Sequence, residues 1–270
     1  MNLFLVATPI GNLEDITLRA LRVFAEVPLI AAEDTRLARR LLSHFNIQAP
    51  RITSYNDHNK RAKLPALLDA LAAGDLALMS DAGMPGISDP GHELVIAAID
   101  AGHTVVPLPG ASAVIAAVAA SGLPSRRFHY LGFLPRQGGP RRAALREAAA
   151  TDDTMVVFES PHRVVQTLED ASTVLGDRRI AVCRELTKLH EEIWRGSIGG
   201  AIAYFAQPRG EFVLVIEGQP PGEALEPSEV DVASAISELK REGVAAKTGV
   251  ARVVARFGLP RRDAYRRWHN

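Results

Sequence analysis

The stretch Leu76-Ala-Leu-Met-Ser-Asp-Ala-Gly-Met-Pro-Gly-Ile-Ser-Asp-Pro-Gly91 sets the architecture of the chain. Its four leading apolar residues suit a strand buried on both faces, as parallel sheets require. The loop after them is over-equipped for a turn. Between Asp81 and Gly91 three glycines, two prolines and two carboxylates permit close backbone approach, stiffen the loop and supply hydrogen-bonding oxygens. A plain reversal needs about two to five residues. A buried strand, a binding loop at its carboxyl end and a helical pattern over 92–101 together make one unit of α/β architecture.

Short apolar runs alternate with longer amphipathic segments on both sides of this stretch, without an internal sequence repeat. Strands are predicted at 3–7, 29–32, 76–80 and 104–108, with helical patterning at 17–26, 36–45, 60–73, 92–101 and 111–121. Gly122-Leu-Pro124 punctuates the chain. A second α/β half carries strands near 130–134, 154–159, 180–184, 193–196 and 211–217, and helices near 141–150, 162–175 and 198–206. Largely parallel sheets are expected throughout. The proline-rich segment 219–229 reads as a linker, and 230–270 as a helical tail with helices at 230–242, 247–257 and 261–268. The expected division is residues 1–121 and 122–218 as two α/β domains, then linker and tail.

A chain of 270 residues, 47% of them hydrophobic, buries a sizeable core and suits two domains better than one. Basic and acidic residues balance at 31 each, so net charge gives no reason to expect nucleic acid. Their distribution does: from Asp231 to Asn270 nine basic residues face four acids. One cysteine, Cys183, excludes an internal disulfide and fits a reducing compartment. The apolar start, Asn2 to Thr8, lacks a basic flank and reads as a first strand rather than a leader. The apolar region 104–123 is broken by Pro107, Pro109 and Gly110, short of the ~20 residues a spanning helix needs. A soluble, cytoplasmic protein without a membrane partner is expected.

Four strand ends open into unusual chemistry: Thr8 to Asp15, Glu33 to Arg36, Ser80 to Gly91 and Pro107 to Ser112. In an open parallel sheet such ends converge, so one shared site is the expectation. No Gly-Lys-Ser/Thr phosphate loop is present, and no Gly-x-Gly-x-x-Gly comes after the first strand. Asp81 and Asp89 would repel phosphate, whereas carboxylates suit a ligand with an amine, a ribose diol or a positive sulfur. S-adenosyl-L-methionine carries all three. Asp57, His58 and His44 lack a zinc spacing, so no metal is assigned.

Thr8-Pro-Ile-Gly-Asn-Leu-Glu-Asp-Ile-Thr17, Ala32-Glu-Asp-Thr-Arg36, Ser80 to Gly91, Val106-Pro-Leu-Pro-Gly110 and Phe158-Glu-Ser-Pro-His-Arg163 occur in this order. Together they resemble the ribosomal RNA small subunit methyltransferase I family, in the tetrapyrrole methylase-like class of S-adenosylmethionine enzymes. The resemblance covers nearly the whole chain. It implies two α/β domains with the cofactor in the cleft between them, a homodimer, and 2'-O-methylation of a cytidine ribose in the decoding region of 16S rRNA, naked or in the assembled small subunit. It also implies cofactor contacts at Pro9, at Asp81, Ala82, Gly83, Ile87 and Ser88, and at Gly110, Ala111, Ser112 and Ala113. Second-domain contacts are expected near Phe158, Cys183 and Ile216. The chain departs from the family pattern at Met84, where threonine is common, and at Ala111, where proline is common. Met84 is given no contact.

Transfer to a ribose hydroxyl needs alignment of oxygen, carbon and sulfur, exclusion of water and an acceptor for the hydroxyl proton. Glu159 and Glu33 are the candidate acceptors, and Arg36 and Arg163 candidates for RNA phosphate. Asp34 is equally suited to capping a helix. In the tail, Arg261 and Arg262 are placed for RNA phosphate, with Tyr265 and Trp268 available for stacking. Two other readings stay open: a corrinoid or other tetrapyrrole methyltransferase of the same fold, and a noncatalytic RNA-binding assembly protein.

Overall fold

The structure, a computed structural model, describes residues 1–48, 51–219, 229–257 and 259–269. They fall into two compact units, Met1–Gly218 and Gln219–Asn270. The expected linker lies, apart from its two end residues, outside the described residues.

In the first unit, β1 (Asn2–Val6), β2 (Leu29–Ala32), β3 (Arg51–Ser54), β4 (Leu76–Met79) and β5 (Thr104–Leu108) form a parallel sheet in the order β3-β2-β4-β1-β5. β2 and β4 are buried at every residue, which is why they read as unbroken apolar runs. β3 has no such signature. It is a half-exposed edge strand with one large apolar residue, Ile52, so neither alternation nor an apolar run marks it in the sequence.

Helices α1 (Leu18–Glu26) and α2 (Thr35–His44) cover one face of this sheet with Val23, Phe24, Leu41 and Leu42. Helices α3 (Lys60–Ala73) and α4 (His92–Asp100) cover the other with Leu67, Leu71, Leu94 and Ala98. β1 leads into α1 and β4 into α4, so these neighbouring strands send the chain to opposite faces. A crevice opens between their carboxyl ends for that reason.

Helix α5 (Ala113–Ser121) leaves the first sheet altogether. Its Val114, Ala117 and Val118 pack on Val156, Ala181, Cys183, Val213 and Val215 of a second sheet. That sheet comprises β6 (Phe128–Phe133), β7 (Thr154–Glu159), β8 (Arg179–Arg184), β9 (Glu192–Ser197) and β10 (Phe212–Ile216), ordered β6-β7-β10-β8-β9. Here the expectation of a largely parallel sheet is corrected: β6 and β7 run parallel, but β10 is antiparallel to β7 and β8, and β9 to β8. The connection 185–191 is the physical reason for the β8–β9 pairing, because a parallel crossover needs a dozen or more residues. Helices α6 (Gly138–Ala148), α7 (Val164–Leu175) and α8 (Ile198–Tyr204) cover the far face through Leu145, Leu168 and Ile198.

The second unit holds α9 (Glu229–Arg241), α10 (Ala246–Phe257) and α11 (Arg261–His269) around Val232, Ile236, Val250, Val253, Ala264 and Trp268. Trp268 is thus not free for stacking. It is 5% exposed, lies against Gly249 where any Cβ would collide with its ring, and has Lys240 Nζ 5.9 Å from its centroid. Tyr265 remains exposed beside His269, as do Arg261 and Arg262. Among the described residues no helix is long and apolar enough to cross a membrane.

Candidate active site

Four loops meet at the crevice. Thr8, after β1, exchanges two backbone hydrogen bonds with Gly83 in the loop after β4, each 2.9 Å. Gly83 sits at φ +75°, a conformation that strains residues bearing a Cβ. Gly110, after β5, backs onto β1 so closely that a Cβ would stand 2.7 Å from the Ala7 Cβ. The loop after β2 joins through its carboxylates. Asp34 N donates to Asp81 Oδ1 at 3.0 Å, and Asp81 N to Glu33 Oε2 at 3.4 Å. Asp34 also caps α2, accepting from Arg36 N at 2.7 Å.

Beyond these loops, between the two sheets, lies a cleft of about 590 Å³, within the range of small-molecule sites. The first sheet's loops bring Ala82, Gly83, Ile87, Ser88, Ser112 and Ala113 to it, and the second lobe brings Phe158, Glu159 and Cys183. Pro9, Glu33, Arg36, Asp81, Gly110 and Ala111 are not part of this lining; they belong to the loops that support it. Ile216 is wholly buried in the core on the face covered by α6, α7 and α8, away from the cleft. Two hydrogen bonds tie the lobes together across it: the Ser88 and Tyr130 hydroxyls at 2.6 Å, and Asn12 N donating to Thr187 Oγ1 at 3.0 Å.

One wall is acidic. Burial, and after it the neighbouring Glu33 carboxylate, pushes the Asp89 carboxyl up to about 6. Burial and then Asp81 push Glu33 up as well. The second lobe brings a packed apolar cluster of Cys183, Leu186 and Val213, and beside it the carboxylates of Glu159 and Glu211. Burial raises the Cys183 thiol to about 11, so it is protonated at neutral pH and is no nucleophile. Among the described residues no group of three or more His, Cys, Asp or Glu is placed to hold a metal.

The remaining candidates differ in how free they are. Glu159 is buried and accepts from Ser160 N at 2.8 Å and from Thr167 Oγ1 at 2.7 Å, with Arg163 Nη2 3.3 Å away. Arg163 in turn donates to Leu134 O at 2.7 Å and Pro135 O at 3.3 Å, so both side chains are engaged inside their own lobe. Arg36 is 84% exposed and carries one ion pair, to Asp34 at 2.6 Å.

The family model for tetrapyrrole (corrin/porphyrin) methylases matches residues 2–202. A ribosomal RNA small subunit methyltransferase I from Halalkalibacterium halodurans is 47% identical over 99% of this chain and 94% of its own length. The chain belongs to the tetrapyrrole methylase family, in the ribosomal RNA small subunit methyltransferase I group. A second member of that group, from Synechocystis, is 47% identical over 97% of this chain and 95% of its own. The crystal structure of a diphthine synthase shares the fold, with a TM-score of 0.65 at 15% identity over 80% of this chain and 90% of that one. Within this methylase architecture Met84, given no contact on sequence, and Asp89, named there as a carboxylate suited to the ligand but not among the implied contacts, both line the cleft, as do Tyr130 and Phe133, which the sequence reading missed. Gly132 between two aromatics in a strand was the signal for the last two, since an isolated strand glycine marks a bulge. Nothing in the sequence distinguishes Asp89 from Asp81, because both flank one loop and only its fold turns one of them inward.

The raised Asp89 carboxyl makes a pH prediction. A carboxyl raised on folding contributes stability that is complete below its unfolded value, near 3.9, and is lost as pH rises through about 6 for Asp89. A cationic ligand reverses this, so its affinity rises with pH through about 6 and then levels. Asp89→Asn is expected to flatten that limb and to weaken the cationic ligand about 10- to 100-fold, the scale of a hydrogen bond to a charged group. Calorimetric titration with S-adenosyl-L-methionine between pH 5 and 8 measures both; an unaltered limb in Asp89→Asn would exclude Asp89 as its source.

Proposed function

We propose that the chain methylates the 2'-hydroxyl of a cytidine ribose in the decoding region of 16S rRNA, using S-adenosyl-L-methionine held in the cleft between its two lobes. The observation that carries this reading is the meeting of strand-end loops on one cleft between the lobes, with the loop after β2 bracing them through Asp81 and with carboxylates and an apolar cluster in the lining. The residues suit the cofactor. Asp89 is placed to accept hydrogen bonds from an amine or a ribose diol, and with Glu33 behind it favours a positive ligand. Cys183, Leu186 and Val213 offer apolar surface to a purine, and Gly83 leaves the backbone open to close approach. When bound, S-adenosyl-L-methionine supplies a methyl group already activated on a positive sulfur.

The protein's own part is placement. Alignment of reacting atoms is worth roughly 7–11 kcal/mol in favourable cases, so a cleft of fixed width does most of what is needed. The Ser88–Tyr130 and Asn12–Thr187 bonds fix that width. In this reading Glu33, half-buried beside Asp81 just behind the cleft lining and with its proton affinity raised, is the acceptor for the hydroxyl proton. Glu159, engaged by three donors, instead holds Arg163 and through it the Leu134-Pro135 segment. Arg36, exposed and paired with Asp34, is the cation this reading gives to RNA phosphate.

The tail adds sequence-independent attraction. Arg261 and Arg262 stand exposed on α11 and contribute through phosphate contacts. Replacing both with alanine is expected to lower the salt dependence of RNA binding by about 1.4 in log–log slope, ~0.7 per single-strand phosphate contact, and to leave cofactor affinity unchanged. Filter binding over a salt series alongside a cofactor titration reads the two. Equal loss of both ligands would contradict the division. The protein acts in the cytoplasm as a homodimer in this reading, and sedimentation equilibrium tests the latter.

The reading as a whole is tested by incubating purified protein with methyl-tritiated donor and either small ribosomal subunits or naked 16S rRNA. Label on one cytidine ribose of the decoding region is the expected result. Label on a base, or none on either RNA, overturns it.

A further inference from the structure

Strand β6 carries an irregularity to which the methyl transfer assigns no task. Tyr130 pairs with Val156 and Gly132 with Val157, so Leu131 is an extra residue in the strand, and Gly132 sits at φ +62°. Bulges of this kind re-aim side chains and recur beside active sites. Here the re-aimed residue is Phe133, which lines the cleft yet stays 57% exposed.

Its backbone is held while its ring is open. Arg163 clamps the next two carbonyls, Leu134 at 2.7 Å and Pro135 at 3.3 Å, and Leu134 is buried in the lobe's core. One edge of the Phe133 ring meets Phe158 at 5.7 Å and 66°, and Phe158 meets Tyr130 at 5.1 Å and 71°. The Phe158 edge thus supports one side of the ring and leaves the rest of it open. Carboxylates line the cleft on both lobes, Asp89 on one and Glu159 and Glu211 on the other, which disfavours anchoring a polyanion deep in it by its phosphates. A neutral π-face is the contact that remains for a nucleotide whose ribose must reach the methyl group.

We propose that Phe133 is a stacking platform for the base of the target nucleotide, so that the enzyme takes its cytidine unpaired and turned out of the RNA. The inference rests on the proposed rRNA methylation and deepens it. Stacking on an aromatic side chain contributes on the scale of five- to 150-fold per base, and requires a base free of its helical neighbours.

The test is steady-state methylation of small subunits by the parent, Phe133→Leu and Phe133→Tyr, with cofactor affinity and thermal midpoint measured for each. Phe133→Leu is expected to raise KM for the RNA substrate about tenfold or more, with cofactor affinity and thermal midpoint unchanged, and Phe133→Tyr to restore the parent KM. A leucine variant with the parent KM overturns the platform while leaving the methyltransferase reading intact. A leucine variant that loses cofactor affinity to the same extent also overturns it, since the ring would then serve the other ligand. If the parent labels no RNA at all, the rRNA reading falls and the platform with it.

Discussion

Asp170→Ala destabilises the Met1–Gly218 unit by about 3–5 kcal/mol, the cost of leaving a buried charge without its partner. Arg141 on α6 is 1% exposed, and its Nε and Nη2 reach Asp170 Oδ2 at 2.7 and 2.6 Å. Arg142 Nη1 takes Asp170 Oδ1 at 2.8 Å. Burial works against ionised Asp170, yet the hydrogen bonds from Arg142 and Arg141 hold its carboxyl below the usual range. This contribution is present above the unfolded value and is lost as pH falls through the lowered one. Without Asp170, the Arg141 guanidinium keeps the Arg136 carbonyl, at 3.1 Å, but no countercharge. The same contact steadies the turn that leads from Phe133 into α6, so the site loosens with the fold. Arg142→Ala, at a half-exposed position, is expected to cost under about 1 kcal/mol. Urea unfolding of the three proteins measures this; an Asp170→Ala midpoint matching that of Arg142→Ala would remove the buried pair from the core's support.

Gly110→Val abolishes methyl transfer more completely than it unfolds the chain. The nearest atom to a Cβ at Gly110 is the Ala7 Cβ, which is buried and has no rotamer to escape into. The β1 and β5 loops must separate, and overpacking of this kind costs typically about 1–3 kcal/mol of stability. The functional loss is larger. Ser112 caps α5 immediately beyond, and with Ala113 it lines the cleft, so a displacement of ~1 Å there is expected to lower kcat/KM about 100-fold or more. Gly139→Ala is the matched control, because a Cβ there meets nothing within 4 Å. A Gly110→Val enzyme with parent kcat/KM would show that the loop after β5 does not shape the site.

Much of the first sheet is legible in the sequence because its central strands are buried on both faces and read as apolar runs, as Leu76 to Met79 does. The binding loops are legible for a related reason. Glycine, proline and aspartate accumulate where the backbone approaches a ligand, and Gly83 and Gly110 occupy positions that tolerate little else. The rest depends on contacts distant in sequence. Arg141 meets a partner 29 residues away, and no local pattern announces a buried arginine. α5 carries almost no polar face, so its sequence does not reveal that it packs on the second sheet rather than the first. Trp268 is different. It lies four residues beyond the buried Ala264, a helical spacing that already places it in the tail's core.

Ultraviolet cross-linking of methyl-tritiated S-adenosyl-L-methionine to the intact protein, with peptide mapping of the product, locates the bound cofactor without recourse to activity. Label is expected on the peptides containing residues 82–89 and 112–115 of one lobe and 183–186 or 211–213 of the other, and unlabelled cofactor should compete it away. Competable label confined to the 229–269 helices, or to the α6–α8 face of the second lobe, would place the cofactor elsewhere and contradict the cleft.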